Sequence, residues 1–378
     1  MHHLKIFVSL VFLAVLLACG GGGGSSAPLP TGRLTLRLGS DSFPGYTQAV
    51  VSLEKVEASG DGVHWTALGN VRASYDLLAL QSGRSVLVVS AAQVTAGTYT
   101  QFRLTWATVN YLDGAMQPAY VAFPSATRAV LTMPTTTTLS GAISVPADGT
   151  ATAQLMFTGQ QAVQQRAATG YYFQATGTAH DLSLSARITG HLADSAGPLA
   201  NVEVFTETVD GAEFATLQRR AFTDANGNYV MEGLPLGSVY FVTAQPAGSS
   251  SSYAALAAAP INALTATAYT ADLAFSSALS PGTMTVTITP ASSQSQGTWA
   301  ELRQTVATGA SGAKPLIVRS QTVVTGVTQD QAGISGLAPG SYGVAAQRSS
   351  SGGTPTLKTG TQVVVSSGLP ATTTLAFP

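Results

Sequence analysis

Cysteine is almost absent from this 378-residue chain: Cys19 is the only one. A lone cysteine closes no internal disulfide, which excludes a small disulfide-stapled fold. Charge is scarce as well. Asp, Glu, Lys and Arg together make up 9% of the residues, against roughly 25% in an average soluble protein. Seventeen basic and 18 acidic side chains leave a net charge of −1, so there is no basic face of the kind a nucleic-acid binder needs. Beyond His2 and His3, the histidines are His64, His180 and His191, with no His-x-x-x-His spacing among them. That excludes a conventional zinc set. Amphipathic helical patterns are also missing; the nearest, residues 160–168, predicts two helical turns between strands. Thr, Ser, Val, Ala and Gly are plentiful, and they suit strands joined by turns. The expected fold class is all-β.

The N-terminus reads as a targeting segment. Lys5 precedes an uncharged stretch, Ile6 to Ala18, which is shorter than the roughly 20 residues of a bilayer-spanning helix and fits the apolar core of a signal peptide. It ends in Leu16-Leu17-Ala18-Cys19, which resembles the lipobox cleaved by bacterial lipoprotein signal peptidase. The resemblance implies a signal peptide over 1–18 and a lipid-carrying Cys19, held firmly once several acyl chains are attached. Gly20 to Gly24, Ser25 and Ser26 then form a flexible tether, stiffened by Pro28 and Pro30. Gly20, where an Asp commonly retains such proteins at the inner membrane, implies sorting to the outer membrane.

Three β modules are expected beyond the tether, over 31–183, 186–276 and 282–378. In the first, Leu34, Leu36 and Leu38 alternate as in a half-buried strand. A second strand over Val50 to Val56 turns through Ser59-Gly-Asp-Gly62 into Val63 to Leu68, a hairpin pattern. Phe102, Leu104 and Trp106 share one face of a later strand, and Asp113-Gly114 marks a turn. These segments, with Asp76-Leu-Leu78 and Ala96-Gly-Thr-Tyr-Thr-Gln-Phe-Arg-Leu104, resemble a bacterial lipoprotein family known as domain of unknown function 4382. The resemblance covers about 31–158, extending toward 183. It implies a fold and a location, and no activity.

The second module carries Ile188-Thr-Gly-His-Leu192, Ala200-Asn-Val-Glu-Val-Phe205, Thr223-Asp-Ala-Asn-Gly-Asn-Tyr229 and Gly233-Leu-Pro-Leu-Gly237. This line is similar to a carboxypeptidase regulatory-like domain, a transthyretin-type β-sandwich without the zinc-binding catalytic domain. Asn226-Gly227 suits a tight hairpin turn with positive backbone φ, and Gly237 a second turn. The third module reads as a degenerate copy of the second. Gly336-Leu-Ala-Pro-Gly-Ser341 echoes Gly233-Leu-Pro-Leu-Gly-Ser238, Tyr342 echoes Tyr240, and Leu375-Ala-Phe377 echoes Leu273-Ala-Phe275. Two anchors at nearly constant spacing mark an internal repeat. The Asp-x-x-Gly turn of the second module corresponds to Asp330-Gln-Ala-Gly333.

No catalytic, metal or cofactor set emerges from these patterns. Asp224-Ala-Asn-Gly-Asn228 starts like a calcium loop, but the sixth position is Tyr229 and the twelfth Pro235, so it reads as a turn. Ser311-Gly-Ala-Lys314 matches Ser-x-x-Lys without the motifs that accompany it in enzymes. For ligand contact, Trp65, Tyr111 and Trp299 are the candidate aromatics, whereas Trp106 belongs to a core face. The reading is a lipid-anchored, non-enzymatic envelope protein of tandem β-sandwich-like modules, outer-membrane bound and facing periplasm or surface. Its expected partners are the membrane, through the lipid, and a glycan or envelope protein, with no nucleic acid. The alternative is an accessory subunit of an envelope enzyme, secretion or polysaccharide assembly.

Overall fold

The computed structural model describes residues 28–41, 46–112, 119–158, 162–166, 170–174, 177–248, 251–292, 296–323, 328–350 and 356–378. Cys19 and the turn at Asp113-Gly114 lie outside the described residues. The described chain is almost entirely strand, with single turns of 3-10 helix at Leu77–Leu80, Leu182–Leu184 and Gly309–Ser311.

The N-terminal part is one 12-stranded sheet that encloses its own core. Thr31–Ser40 runs parallel to Thr150–Phe157 and antiparallel to Ser85–Thr95. Gln48–Ser59 pairs with Thr66–Asp76 in the expected hairpin and with Gly97–Trp106 on its other side. The sheet rolls so that Thr66–Asp76 and Ser85–Thr95 come into contact. Period-two alternation then delivers Leu34, Leu36 and Leu38 to the same interior as Phe102, Leu104 and Trp106. Asp76 accounts for the Asp-Leu-Leu segment: its Oδ1 accepts the amides of Leu78 at 3.1 Å and Ala49 at 3.0 Å. One carboxylate thus caps the 3-10 turn and ties it to the neighbouring strand, burying Leu77 and Leu80.

Of the two helical turns expected within 160–168, the first is supported at Ala162, which is helical with its amide donating to the Thr158 carbonyl at 3.0 Å; the second is not formed. Val163–Arg166 is a strand, antiparallel to Gly170–Phe173. Ala162 and Val163 both pack into the N-terminal core, and from Val163 onward a β-branched residue on a paired edge favours the ladder over continuation of a short helix.

The middle part is a sandwich of two five-stranded sheets. In one, Ser185–Asp194 is antiparallel to Asn228–Pro235 and parallel to Ala268–Thr270 and Leu273–Ala274. In the other, Glu203–Val209 lies between Ala215–Phe222 and Ser238–Ala244. The C-terminal part repeats this arrangement. Gly282–Thr289 is antiparallel to Asp330–Leu337 and parallel to Pro370–Ala376, and Gln296–Ala307 lies between Ala313–Thr322 and Gly340–Ser350.

Two turn expectations change in this frame. Asp224-Ala-Asn-Gly-Asn228 is a tight turn, with Gly227 at φ 76° and Asp224 Oδ1 accepting the amides of Asn226 and Asn228. It is not a hairpin, because Ala215–Phe222 and Asn228–Pro235 belong to opposite sheets; the turn carries the chain across the sandwich. Asp330-Gln-Ala-Gly333 is not a turn at all. Asp330 opens a strand and is buried, accepting from the Ser292 amide at 2.8 Å and approaching Arg348 at 3.4 Å. A buried carboxylate facing a guanidinium holds that segment extended.

Gly237 sits at φ 81° with open space where a Cβ would project, so backbone strain alone limits substitution there. Gly237→Val is expected to lower stability by order 1–3 kcal/mol. Gly237→Asn, which tolerates the left-handed region, should recover most of that loss. Equal melting curves for wild type and both variants would contradict the assignment.

Candidate functional site at the module junctions

The sheet built on Glu203–Val209 is buried on both faces. Val204 and Ala221, with Tyr240 and Val242, point into the middle core, while Phe205, Ala215 and Phe241 pack with Leu302, Leu316 and Val318 in the C-terminal core. Strand alternation makes this possible, because neighbours in sequence face opposite layers. Polar groups on the outer face must therefore find partners across the junction or stay unsatisfied.

Each finds at least one partner, while Glu207 Oε1, Gln245 Oε1 and Arg303 Nε are buried with none among the described residues. Glu207 is fully buried, and its Oε2 accepts the Ile317 amide at 2.8 Å. Arg303 donates from Nη1 to the Ala215 carbonyl at 2.8 Å and from Nη2 to Glu301 at 2.6 Å, with its guanidinium 3.8 Å from the Phe214 ring centroid. Gln245 Nε2 donates to Gln304 at 3.1 Å and to the Tyr342 hydroxyl at 2.9 Å. At the rim, Lys314 and Glu213 pair at 2.8 Å. Burial pushes the Glu207 carboxyl up to about 8; Arg303 opposes that shift and Glu301 adds to it. Glu207 thus holds its proton at neutral pH.

The junction with the N-terminal sheet follows the same rule. Arg219 is buried and donates to three carbonyls: Gln218 at 2.6 Å, Gly233 at 3.0 Å and Glu232 at 3.1 Å. It also donates to His180 Nε2, on the last strand of the N-terminal sheet. A guanidinium has only donors, so Nε2 must be the acceptor and the imidazole proton sits on Nδ1. Burial first, then the charge of Arg219, pushes His180 down to about 3. Asp41 is buried against the same strand and accepts a backbone hydrogen bond from Arg220. Burial raises its carboxyl to about 6, against the pull of Arg219 and Arg220. Ser82 completes the contact, donating to the Phe222 carbonyl at 2.7 Å.

Beside that contact lies a cleft of about 740 Å³ with walls from both parts. Gln81 and Arg84 line it from the N-terminal sheet; Asn201, Asp224 and Asn228 line it from the middle sandwich. A second cleft, about 560 Å³, lies at the other junction beside Arg303, Gln304 and Gln362.

The three candidate aromatics fall elsewhere and do not come together. Trp65 is half-buried, with the Arg103 guanidinium 4.1 Å from its ring centroid. Tyr111 is half-buried and donates its hydroxyl to Glu54, which also accepts from Arg72 at 3.0 Å. Trp299 is only 3% exposed and donates its indole N–H to Glu301 at 3.3 Å. Its ring lacks the open face a ligand contact needs, because it lies in an unbroken run of buried residues, Thr298 to Arg303. Trp106 is core, as its strand face predicts, packed against Phe157 and Phe173 with its N–H on Thr137 at 2.9 Å. Among the described residues no group of three His, Cys, Asp or Glu is arranged to hold a metal ion. Lys314 of the Ser-x-x-Lys match is engaged with Glu213.

The junction residues escaped sequence reading, although one signal existed. Arg219 and Arg220 are adjacent charges inside a strand of a charge-poor chain. Adjacent strand residues face opposite ways, so both can be buried only if both faces of the strand are covered.

Comparison with known proteins finds a family match over part of the chain. Residues 31–175 match the family described as Domain of unknown function (DUF4382), a span that ends just before the last strand of the N-terminal sheet. No curated protein matches the chain. Among solved structures, it is similar to the Bacillus anthracis TIE protein at 10% identity, covering 92% of this chain and 50% of that one, with a TM-score of 0.21. It is also similar to a streptococcal ancillary pilin at 11% identity, covering 92% and 99%, with a TM-score of 0.22. A shaft pilin from Lactobacillus rhamnosus GG matches at 11% identity over 51% and 98%, with a TM-score of 0.20. The chain thus spans half the length of the first of these.

The proton on Glu207 has a measurable consequence. Its carboxyl titrates near 8 when folded against an ordinary value of 4.5. The folded state therefore binds this proton more tightly than the unfolded chain. The stability it contributes is full below about pH 4.5 and is lost as pH rises through about 8. Glu207→Gln keeps one acceptor and one donor without the charge. It should match wild type near pH 4 and exceed it by a few kcal/mol at pH 9 in urea unfolding. A difference independent of pH would contradict a protonated Glu207.

Proposed function

We propose that this chain is a lipid-anchored envelope protein whose β modules form a fused, non-catalytic scaffold that holds a binding surface clear of the membrane. The buried junctions are the observation that carries this reading. A chain that only had to space two sites apart could use exposed linkers, whose orientation is free. This one places Glu207, Arg303, Gln245 and Arg219 in buried contacts between its parts, Arg219 through His180, and such contacts fix relative orientation at the cost of desolvating charge.

The C-terminal sandwich is, in this reading, a degenerate copy of a carboxypeptidase regulatory-like middle sandwich. Three features support it. The two share one strand order. Gly233 and Gly336 stand at φ 69° and 71° before the strands that carry Tyr240 and Tyr342. Each tyrosine hydroxyl returns to a carbonyl shortly upstream, Tyr240 to Pro235 at 2.6 Å and Tyr342 to Ala338 at 2.7 Å. Duplication followed by fusion of the copies through one sheet explains why the polar contacts concentrate there.

The anchor is proposed at Cys19, from the resemblance of Leu16-Leu17-Ala18-Cys19 to a lipobox, with Gly20 favouring the outer membrane over the inner. Cys19→Ser is expected to abolish incorporation of labelled fatty acid and release the protein from the membrane fraction, with an unchanged melting curve. Wild-type protein that fractionates as soluble without detergent would overturn the anchor.

A further inference from the structure

We propose that the cleft between the N-terminal sheet and the middle sandwich is a binding site for a neutral oligosaccharide. The inference rests on the non-catalytic binding reading above and names the ligand class. The cleft's volume, about 740 Å³, falls within the range of small-molecule sites. Its chemistry is more informative than its size.

Gln81 is only 8% exposed, and among the described residues its carboxamide makes no hydrogen bond within the protein. That carboxamide is left open to the cleft, where a ligand's hydrogen bonds can take the place of water's. Across the gap, Asp224 uses Oδ1 to hold the turn amides of Asn226 and Asn228. The positive charge of Arg84 reaches Asp224 and, after those hydrogen bonds, helps hold its carboxyl low. Among the described residues no ion pair joins Arg84 and Asp224, although both line the cleft; Arg84 Nε donates instead to the Gln81 carbonyl at 3.5 Å. Asn201, exposed on the same rim, supplies a further amide. The backbone is left-handed on both walls at non-glycine residues, Ser82 at φ 55° and Asn201 at φ 56°. Such conformations persist where the surroundings impose them and gather at ligand-holding segments.

These groups select a ligand that donates and accepts at closely spaced points. Sugar hydroxyls can donate to Asp224 and accept from Arg84, and vicinal hydroxyls match a carboxamide's paired donor and acceptor. A polyanion would meet Asp224 and a polycation would meet Arg84, so the balanced walls favour an uncharged ligand. Leu78, Val230 and the half-buried ring of Tyr46 offer the apolar contact that the C–H face of a sugar ring needs. Neither Trp65 nor Tyr111 lines this cleft, which is why the sequence's aromatics did not mark it.

The test is calorimetric titration of the detergent-solubilised full chain with maltotriose, cellotriose, xylotriose, mannotriose and triacetylchitotriose. At least one is expected to bind saturably at one site, with about tenfold or greater weakening in Arg84→Ala and in Gln81→Met. Arg84 is exposed, so Arg84→Ala should keep the wild-type melting curve even if Gln81→Met does not. Absence of saturable binding with all five sugars at about 1 mM or above would overturn the site and leave the scaffold reading standing. Binding of equal affinity in wild type and Arg84→Ala would also overturn it. Saturable binding followed by cleavage of the sugar would support the site and overturn the non-catalytic reading.

Discussion

A β-sheet with one face on a core and the other in water can belong to a free-standing sandwich. The sheet built on Glu203–Val209 has no watered face over its centre: Val204, Phe205, Thr206 and Glu207 are buried in succession. Much of what distinguishes the molecule follows from that. Phe205 and Phe241 lie outside the middle sandwich's own core and are covered only by the C-terminal one. Burying each is worth roughly 1.5–3 kcal/mol, so the two sandwiches stabilise each other rather than merely touch.

The same geometry explains where the few charged residues went. Covering a sheet on both faces traps the polar side chains that alternation placed on its outer face. Each must be neutralised, paired or bonded to backbone. Glu207 is neutralised by holding a proton, Arg303 is paired with Glu301 and bonded to the Ala215 carbonyl, and Arg219 is surrounded by carbonyls and a neutral His180. Buried pairs of this kind add little net stability but penalise any misaligned arrangement. In a chain with 9% charged residues, placing several of them at the junctions makes relative orientation the property most strongly specified. A cleft whose walls come from two parts of the chain needs that orientation, since Gln81 and Arg84 can act with Asp224 only while the junction is held.

Much of the fold was legible in the sequence because it rests on local rules. Leu34, Leu36 and Leu38 alternated and share an interior; Gly227 and Gly237 were placed at turns and have positive φ. The failures were of a different kind. Asp224–Asn228 looks the same in sequence whether it joins neighbouring strands or opposite sheets, and only the pairing of Asn228–Pro235 with Ser185–Asp194 decides it. Asp330 mimicked a turn residue because its partners, Arg348 and Ser292, are 18 and 38 positions away. Trp299 looked available because nothing local reveals that its strand is covered. The cleft was invisible for the same reason: Arg84 and Asp224 are far apart in the chain, and no periodicity connects them.

Fusion of the middle and C-terminal sandwiches through a shared sheet is the central claim, and native-state hydrogen exchange across a urea series tests it most directly. Amides of Glu203–Val209 and of Gln296–Ala307 should open together, with one free energy and one urea dependence, because neither core survives loss of the other. Exchange of the C-terminal strands through an opening that leaves Glu203–Val209 fully protected would contradict it, and would return the chain to independent modules on a string.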